Sequence, residues 1–225
     1  MMSQTALPLR AVVFDLDGTL LDTAPDFVFV LNRLREEEGL PPLDATLIRN
    51  TVSDGARALV TLGFELQEDE EGFEPLRLRL LELYSEHLAV KSGLFPGIAG
   101  LLEFLQQQGL AWGIATNKPE LYTTPLLAAL GLQPDCVICP DHVSERKPHA
   151  ESLLLAARLL DCKPQQILYV GDHQRDIACG INAGSPTVAA AYGYVHKDDD
   201  VNLWQADHIV RQPEDLLPLV RQYIG

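Results

Sequence analysis

The chain has 225 residues, of which 47% are hydrophobic and 22% charged, a composition typical of a globular protein with a packed core. Its 17 Lys and Arg against 32 Asp and Glu give a net charge of −15, and so acidic a surface repels phosphate backbones and anionic lipid headgroups. Composition therefore argues against nucleic-acid and membrane-surface binding, and the length fits one domain with or without a sizeable insertion.

Apolar, β-branched runs alternate with helical patterns along most of the chain. The predicted strands are Arg10–Asp15, Ala111–Thr116, Cys136–Cys139, Ile167–Gly171, Thr187–Ala190 and His208–Val210. The predicted helices among them are Ile98–Gln108, Leu121–Leu130, His149–Leu160, Arg175–Ala183 and Glu214–Tyr223. This alternation favours a parallel sheet covered by helices on both faces. We therefore predict an α/β fold whose core is a Rossmann-like, doubly wound parallel sheet.

The segment between about residues 22 and 92 departs from this alternation. It contains no convincing strand, and its helical patterns are Ala24–Glu38, Asp44–Asn50, Gly55–Leu62 and Glu70–Ala89. We therefore predict an all-helical cap, residues 22–92, inserted into an α/β core made of residues 1–21 and 93–225.

The sequence also bears on the cellular compartment. The apolar run 11–14 stops at Asp15, whereas a signal peptide needs about 7–15 apolar residues. The longest apolar runs, such as 153–157, are far shorter than the roughly 20 residues of a membrane helix. We expect a cytoplasmic protein with four free thiols, those of Cys136, Cys139, Cys162 and Cys179.

The spacing of Cys136 and Cys139 matches a zinc knuckle or a redox motif. No second CxxC and no nearby HxxxH accompanies it, and the pair lies in an apolar, strand-like stretch. We interpret both cysteines as structural.

The first predicted strand runs directly into two carboxylates spaced by one residue. Residues i and i+2 of a strand face the same side, so Asp15 and Asp17 point into one space while Leu16 turns towards the core. Gly18 then permits a sharp turn. The whole string VVFDLDGTL is much more specific than two acids at the end of a strand.

Polar residues follow other predicted strands as well. Asp172 ends a second apolar strand, and Asp176 falls in the first turn of the next helix. Thr116 and Asn117 end a third strand, and Lys147 precedes a helix. Since the carboxyl ends of strands form the binding crevice of open α/β sheets, we expect these residues to meet there.

The charges of this crevice predict its cofactor. The carboxylates of Asp15, Asp17, Asp172 and Asp176 with the ammonium of Lys147 leave a net charge of −3 if all are ionised. Two like charges about 4 Å apart cost about 4 kcal/mol at an effective dielectric of about 20, so the cluster needs a cation or raised pKa values. Oxygen ligands without an adjacent His or Cys favour Mg²⁺ over zinc.

In this order, DxDGT, Thr-Asn after a strand, Lys-Pro and GDxxxD resemble the haloacid dehalogenase (HAD) superfamily, and the helical insertion resembles its small α-helical cap. The resemblance covers essentially the whole chain. Within the superfamily, Leu21–Asp26 and Val52–Leu59 resemble phosphoglycolate phosphatases. Leu47–Arg49 and Thr116–Pro119 are similar to N-acetylmuramic acid 6-phosphate phosphatases, the closer likeness.

The resemblance implies a phosphomonoesterase acting on a small phosphorylated metabolite through an aspartyl-phosphate. Asp15 would be the nucleophile, and Asp17 the general acid and then the general base. Thr116 and Asn117 would bind the phosphoryl oxygens, and Lys147 would neutralise nucleophile and phosphate.

The resemblance also implies a ligand set for Mg²⁺. The ion would be held by Asp15, the backbone carbonyl of Asp17 and Asp172, while Asp176 would orient Lys147 or a metal-bound water. Dehalogenases lack an acid at the position of Asp17 because halide leaves without a proton. The acid therefore favours phosphoryl chemistry.

Three further residues have two interpretations each. Arg49 and Arg57 flank the cap loop 50–55 and could meet a substrate carboxylate, or they could be surface helix residues. His173 stands where relatives often carry Ser, and we interpret it as a solvent-facing residue at a helix start, the alternative being a substrate contact.

Alternative functions share the same core residues. A sugar-phosphate mutase would transfer the phosphoryl group within one substrate instead of giving it to water. A non-catalytic scaffold would be expected to lack the nucleophile or the acid, and both are present. We expect a monomer or a homodimer.

Overall fold

The computed structural model describes residues 7–224, and its core is a parallel β-sheet. In chain order the strands are β1 (Ala11–Phe14), β2 (Leu21–Asp22), β3 (Gly93–Leu94), β4 (Ala111–Ala115), β5 (Cys136–Ile138), β6 (Ile167–Gly171), β7 (Thr187–Ala190) and β8 (His208–Val210). Six of them form one sheet in the order β5-β4-β1-β6-β7-β8, and all neighbours are parallel. The predicted α/β class and all six predicted strands are confirmed.

The helices are α1 (Ala24–Glu37), α2 (Ala45–Thr51), α3 (Gly55–Phe64), α4 (Phe73–Glu86), α5 (Ile98–Gln107), α6 (Glu120–Ala129), α7 (Glu151–Leu159), α8 (Gln174–Ala183) and α9 (Leu216–Ile224). Each corresponds to a predicted helix. The largest difference is at α4, which is shorter at both ends than the predicted Glu70–Ala89. Gly72 has a φ of 94° and Ala89 a φ of 60°, and neither angle is helical.

The central strand β1 is buried on both faces. Its side chains alternate, so Val12 and Phe14 belong to the larger hydrophobic cluster while Ala11 and Val13 belong to the smaller one. A strand covered on both faces can be apolar throughout, which explains the uninterrupted run Ala11–Phe14.

Helices α1–α4 lie between β2 and β3, in the segment where the sequence predicts an all-helical insertion. The chain leaves and re-enters the core through β2 and β3, which pair antiparallel, Leu21 opposite Leu94 and Asp22 opposite Gly93. Apolar residues of the insertion, such as Leu31 and Leu59, belong to the same hydrophobic cluster as Phe14 of the sheet. The exact division at residues 22 and 92 stays a prediction.

Two observations concern the remaining sequence predictions. In residues 7–224, no helix has both the length and the apolar composition needed to cross a membrane. All four cysteines are free thiols, and Cys136 and Cys139 are buried in and just after β5.

Candidate active site

The predicted polar residues meet at the carboxyl edge of the sheet. Phe14, the last residue of β1, pairs with Ile114 of β4 on one side and Val170 of β6 on the other. Asp15 therefore lies between the ends of the two neighbouring strands, the place where an open α/β sheet forms its binding crevice.

The buried side chain of Lys147 pairs with two of the acids, Asp15 and Asp176. Its Nζ lies 2.9 Å from Asp15 Oδ1 and 2.7 Å from Asp176 Oδ1, and it donates hydrogen bonds to the Ala115 carbonyl (2.9 Å) and the Tyr169 hydroxyl (3.0 Å). Burial disfavours the ammonium, but the two carboxylates outweigh this effect and raise the pKa of Lys147. The lysine is therefore a fully buried cation.

Three carboxylates face one another beside this lysine. Asp15, Asp172 and Asp176 are buried, and each offers one oxygen within 4.8 Å of the others. Burial and the neighbouring charges of Asp15 and Asp176 raise the pKa of Asp172 to about 7. Burial also raises the pKa of Asp176. Such a set of close, buried oxygen ligands fits a hard divalent cation, which would relieve the repulsion.

Asp15 differs from its two neighbours. Burial would raise the pKa of its carboxyl, yet the charges of Lys147 and Arg175 hold that pKa below its usual value. Its Oδ1 also accepts a 2.7 Å hydrogen bond from the Leu16 amide. Its two cationic neighbours therefore favour the ionised form of Asp15, the state that a carboxylate nucleophile requires.

Two glycines allow the carboxylates to approach the backbone so closely. A Cβ on Gly18, whose φ is 80°, would lie 2.2 Å from Asp172 Oδ2. A Cβ on Gly171 would lie 2.3 Å from Asp176 Cβ. The glycines of DxDGT and GDxxxD are thus required by packing around the acids.

The carboxylate of Asp17 is held separately from the other three. It accepts a 2.6 Å hydrogen bond from the Thr23 hydroxyl and lies 3.1 and 3.2 Å from Lys118 Nζ. Lys118 is buried, with its ammonium 5.0 Å from the Phe27 ring centre and 4.6 Å from that of Tyr84. Lys118 directly follows Asn117 in the sequence, but no sequence pattern predicts its ammonium beside Asp17.

The cap reaches the acid cluster through one loop. The hydroxyl of Ser53 donates a 3.0 Å hydrogen bond to Asp172 Oδ2, and Arg175 donates to the Ser53 carbonyl. His173 Nε2 lies 3.4 Å from Asp54 Oδ1, and His173 Nδ1 accepts from the Arg175 amide at the start of α8. His173 is therefore at a helix start as predicted, but it is half-buried and faces the cap instead of solvent.

A cavity of about 300 Å³ lies between the acids and the cap. Asp15, Asp17, Thr116, Asn117 and Arg57 all line it.

Arg49, the other predicted cap arginine, does not line this cavity. Its Nη1 donates to both carboxylate oxygens of Asp22 at 2.8 and 2.9 Å, and its guanidinium lies 4.8 Å from the Tyr194 ring centre. A carboxylate and an aromatic ring thus bind the Arg49 side chain in this structure, and its contact with a substrate stays a prediction.

Magnesium is expected to stabilise the protein through these carboxylates. At an Mg²⁺ concentration about 100 times the dissociation constant, the free energy of unfolding should rise by about 2.7 kcal/mol. Asp172→Asn should abolish that gain while leaving the EDTA-treated protein at least as stable, since it removes one of the repelling charges. Thermal unfolding with and without Mg²⁺ measures both effects. Asp161→Asn, on the exposed surface, is the control, and an undiminished Mg²⁺ effect in Asp172→Asn would contradict the assignment.

A parallel sheet with the DxDGT acids at its carboxyl edge, facing a cavity beside helices α3 and α4, fits an enzyme that transfers phosphoryl groups. Residues 12–190 match the family model of haloacid dehalogenase-like hydrolases, and the chain belongs to this family.

Named relatives narrow the class further. The chain is 46% identical over 214 residues to the N-acetylmuramic acid 6-phosphate phosphatase of Pseudomonas putida, covering 94% of this chain and 96% of that protein. It is 43% identical over 209 residues to a phosphoglycolate phosphatase of Xanthomonas campestris, covering 92% and 94%. A crystal structure of a predicted phosphoglycolate phosphatase from Haemophilus somnus superimposes with a TM-score of 0.82 at 28% identity, covering 96% and 99%. The chain is therefore an enzyme of the HAD phosphatase class.

Proposed function

We propose that this phosphatase hydrolyses the phosphate monoester of a small metabolite with Mg²⁺ and through an aspartyl-phosphate on Asp15. The leading substrates are 2-phosphoglycolate and N-acetylmuramate 6-phosphate, after the names of the relatives. One observation carries the proposal: a buried carboxylate with a lowered pKa pairs with a buried lysine, at an edge that also presents Asp17.

The reaction has two displacements at phosphorus. A carboxylate oxygen of Asp15 attacks, the ester P–O bond breaks, and Asp17 gives its proton to the leaving alkoxide. Asp17 then takes a proton from water, whose oxygen attacks phosphorus, so that phosphate leaves and Asp15 is restored. Thr116 through its hydroxyl and Asn117 through its backbone N–H donate to the phosphoryl oxygens in both steps.

The metal ligands in this proposal are Asp15, the backbone carbonyl of Asp17 and Asp172. The ion would neutralise the charge that builds up between an anionic nucleophile and an anionic phosphate. Asp176 lies 2.7 Å from Lys147 Nζ, so we assign it to holding that lysine in place. Lys147 in turn keeps Asp15 ionised and oriented.

We also propose a cytoplasmic location. All four cysteines are free thiols, as is usual for proteins of a reducing compartment.

The test of the reaction type uses water labelled with ¹⁸O. With N-acetylmuramate 6-phosphate or 2-phosphoglycolate and Mg²⁺, we expect one inorganic phosphate per substrate consumed, carrying one oxygen from the water. A mutase would instead give an isomeric phosphate ester without labelled phosphate, and a scaffold would give no product. Either of these results would contradict the proposal.

A further inference from the structure

One end of the cavity is lined by residues of the cap helices α3 and α4, among them Arg57, Arg77 and Leu81, which have no part in the hydrolysis mechanism. Five cationic side chains line the whole cavity against three carboxylates, although the protein carries a net charge of −15. The cations are Arg57, Arg77, Lys118, Arg146 and Arg175, and the acids are Asp15, Asp17 and Asp54. The cavity therefore offers several cationic side chains to an anionic ligand, and three of them are already ion-paired: Arg57 with Glu68, Arg77 with Glu74 and Lys118 with Asp17.

Two of these cations belong to the cap alone. Arg57 on α3 donates a 2.6 Å hydrogen bond to Glu68, and Arg77 on α4 pairs with Glu74 through two of its nitrogens. Both glutamates are more than half exposed, and exposed pairs of this kind contribute little to stability. Arg77 itself is mostly buried, with 21% of its side chain exposed. A carboxylate that enters the cavity can therefore replace a glutamate at small cost.

The two pairs lie in one neighbourhood. The charge of Arg57 contributes to the lowered pKa of Glu74, and the charge of Glu68 contributes to the raised pKa of Arg77. Hydrogen bonds to Glu74 are the largest cause of the shift at Arg77. Both guanidinium groups line the same cavity, and their planar donors suit a carboxylate.

An aromatic wall connects this end with the acids. Tyr84 stacks on Phe27 with the ring centres 4.1 Å apart and contacts Tyr122 at 5.8 Å, and all three line the cavity with Val52 and Leu81. The Tyr84 ring also lies 4.6 Å from the ammonium of Lys118, which pairs with Asp17, so the wall ends beside the acids.

We infer that Arg77, with Arg57, binds a carboxylate of the leaving group, and that the aromatic wall packs against its carbon skeleton. The substrate class is then a bulky phosphorylated sugar acid, and Arg77 is a specificity-determining residue. This inference rests on the proposed phosphatase function.

The alternative of a two-carbon acid fits this cavity less well. The alcohol released from 2-phosphoglycolate has a single CH₂ group, which cannot cover a wall of three aromatic and two aliphatic side chains. Binding cavities for ligands of drug size begin at about 300 Å³, the size of this one. A sugar acid such as N-acetylmuramate offers a ring and methyl groups to the aromatic wall, and a carboxylate to Arg57 and Arg77.

The test compares two substrates that differ in one group. N-acetylmuramate 6-phosphate carries a lactyl carboxylate that N-acetylglucosamine 6-phosphate lacks. We expect the wild-type kcat/KM to favour the acid, and Arg77→Gln to reduce that preference about 10- to 100-fold, the range of a lost hydrogen-bonded charge. Arg79→Gln is the matched control, because Arg79 lies on the same helix, pairs with Glu37 and Glu82, and does not line the cavity. It should leave the preference unchanged.

Hydrolysis of p-nitrophenyl phosphate, an aryl ester without a carboxylate, measures phosphatase activity separately from recognition of the substrate carboxylate. Arg79→Gln should retain this activity, since Arg79 does not line the cavity. An unchanged preference in Arg77→Gln, or a wild-type kcat/KM that is higher for 2-phosphoglycolate than for the sugar acid, would overturn the inference while leaving a phosphatase. A wild type that hydrolyses none of these esters with Mg²⁺ would overturn the proposed function as well.

Discussion

Replacing Asp15 by Asn is expected to reduce phosphate release at least about 10⁴-fold, the order of loss seen when a nucleophile is removed. The amide has the shape of the carboxylate and keeps an oxygen for the Leu16 N–H, but it cannot attack phosphorus. Steady-state phosphate release with Mg²⁺ measures the loss. The variant should also form no acid-stable phosphoryl-enzyme and no complex with beryllium or aluminium fluoride.

The matched control for Asp15→Asn is Asp161→Asn on the exposed surface, which should retain wild-type rates. Beryllium or aluminium fluoride should raise the unfolding temperature of the wild type only when Mg²⁺ is present. Activity of Asp15→Asn within about 100-fold of wild type, in a preparation free of contaminating phosphatase, would remove Asp15 as the nucleophile.

Local patterns predicted the sheet and the acid cluster well, for a physical reason. The strands β1 and β6 are buried on both faces, so their sequences are uninterrupted apolar runs that periodicity detects directly. The acids follow these runs by one residue, so the parallel sheet alone brings Asp15 and Asp172 to the same edge. The adjacency of β1 and β6, which no local pattern predicts, is what makes the two acids neighbours.

Contacts that depend on how the cap packs were not predictable in this way. Arg49 and Arg57 look equivalent in sequence, yet Arg49 pairs with Asp22, 27 residues away, while Arg57 lines the cavity. Ser53 reaches Asp172 across 119 residues. Such pairings depend on the angle between helices and on side-chain rotamers, which a hydrophobic pattern does not encode.

Tyr169 and Lys118 also make contacts that a sequence pattern does not predict. Tyr169 alternates with apolar neighbours on β6 and resembles a core residue, but its hydroxyl accepts from Lys147 and donates to the Ala115 carbonyl. Lys118 resembles a surface lysine, but its ammonium is buried against Asp17. A sequence signal exists only for Lys118, through its place directly after the Thr-Asn motif.

Lys147→Met is expected to lower both activity and stability. Removing one partner of a buried ion pair typically costs about 3–5 kcal/mol, because the remaining charge has no compensation. Here two carboxylates, Asp15 and Asp176, lose the ammonium between them, along with its hydrogen bonds to Tyr169 and Ala115. Chemical denaturation in EDTA measures the stability loss, and phosphate release with Mg²⁺ measures the activity.

A second substitution separates the electrostatic part of this loss from the packing part. Asp176→Asn added to Lys147→Met removes one uncompensated charge but keeps an oxygen for the His173 amide, so the double variant should be more stable than the single one. Activity should stay low, since Asp15 still lacks its cation. Lys163→Met, on the exposed surface, should change neither quantity. Two results would contradict a stabilising role of Lys147 in the buried charge cluster. One is an unfolding midpoint of Lys147→Met equal to that of the wild type. The other is a double variant that is less stable than Lys147→Met alone.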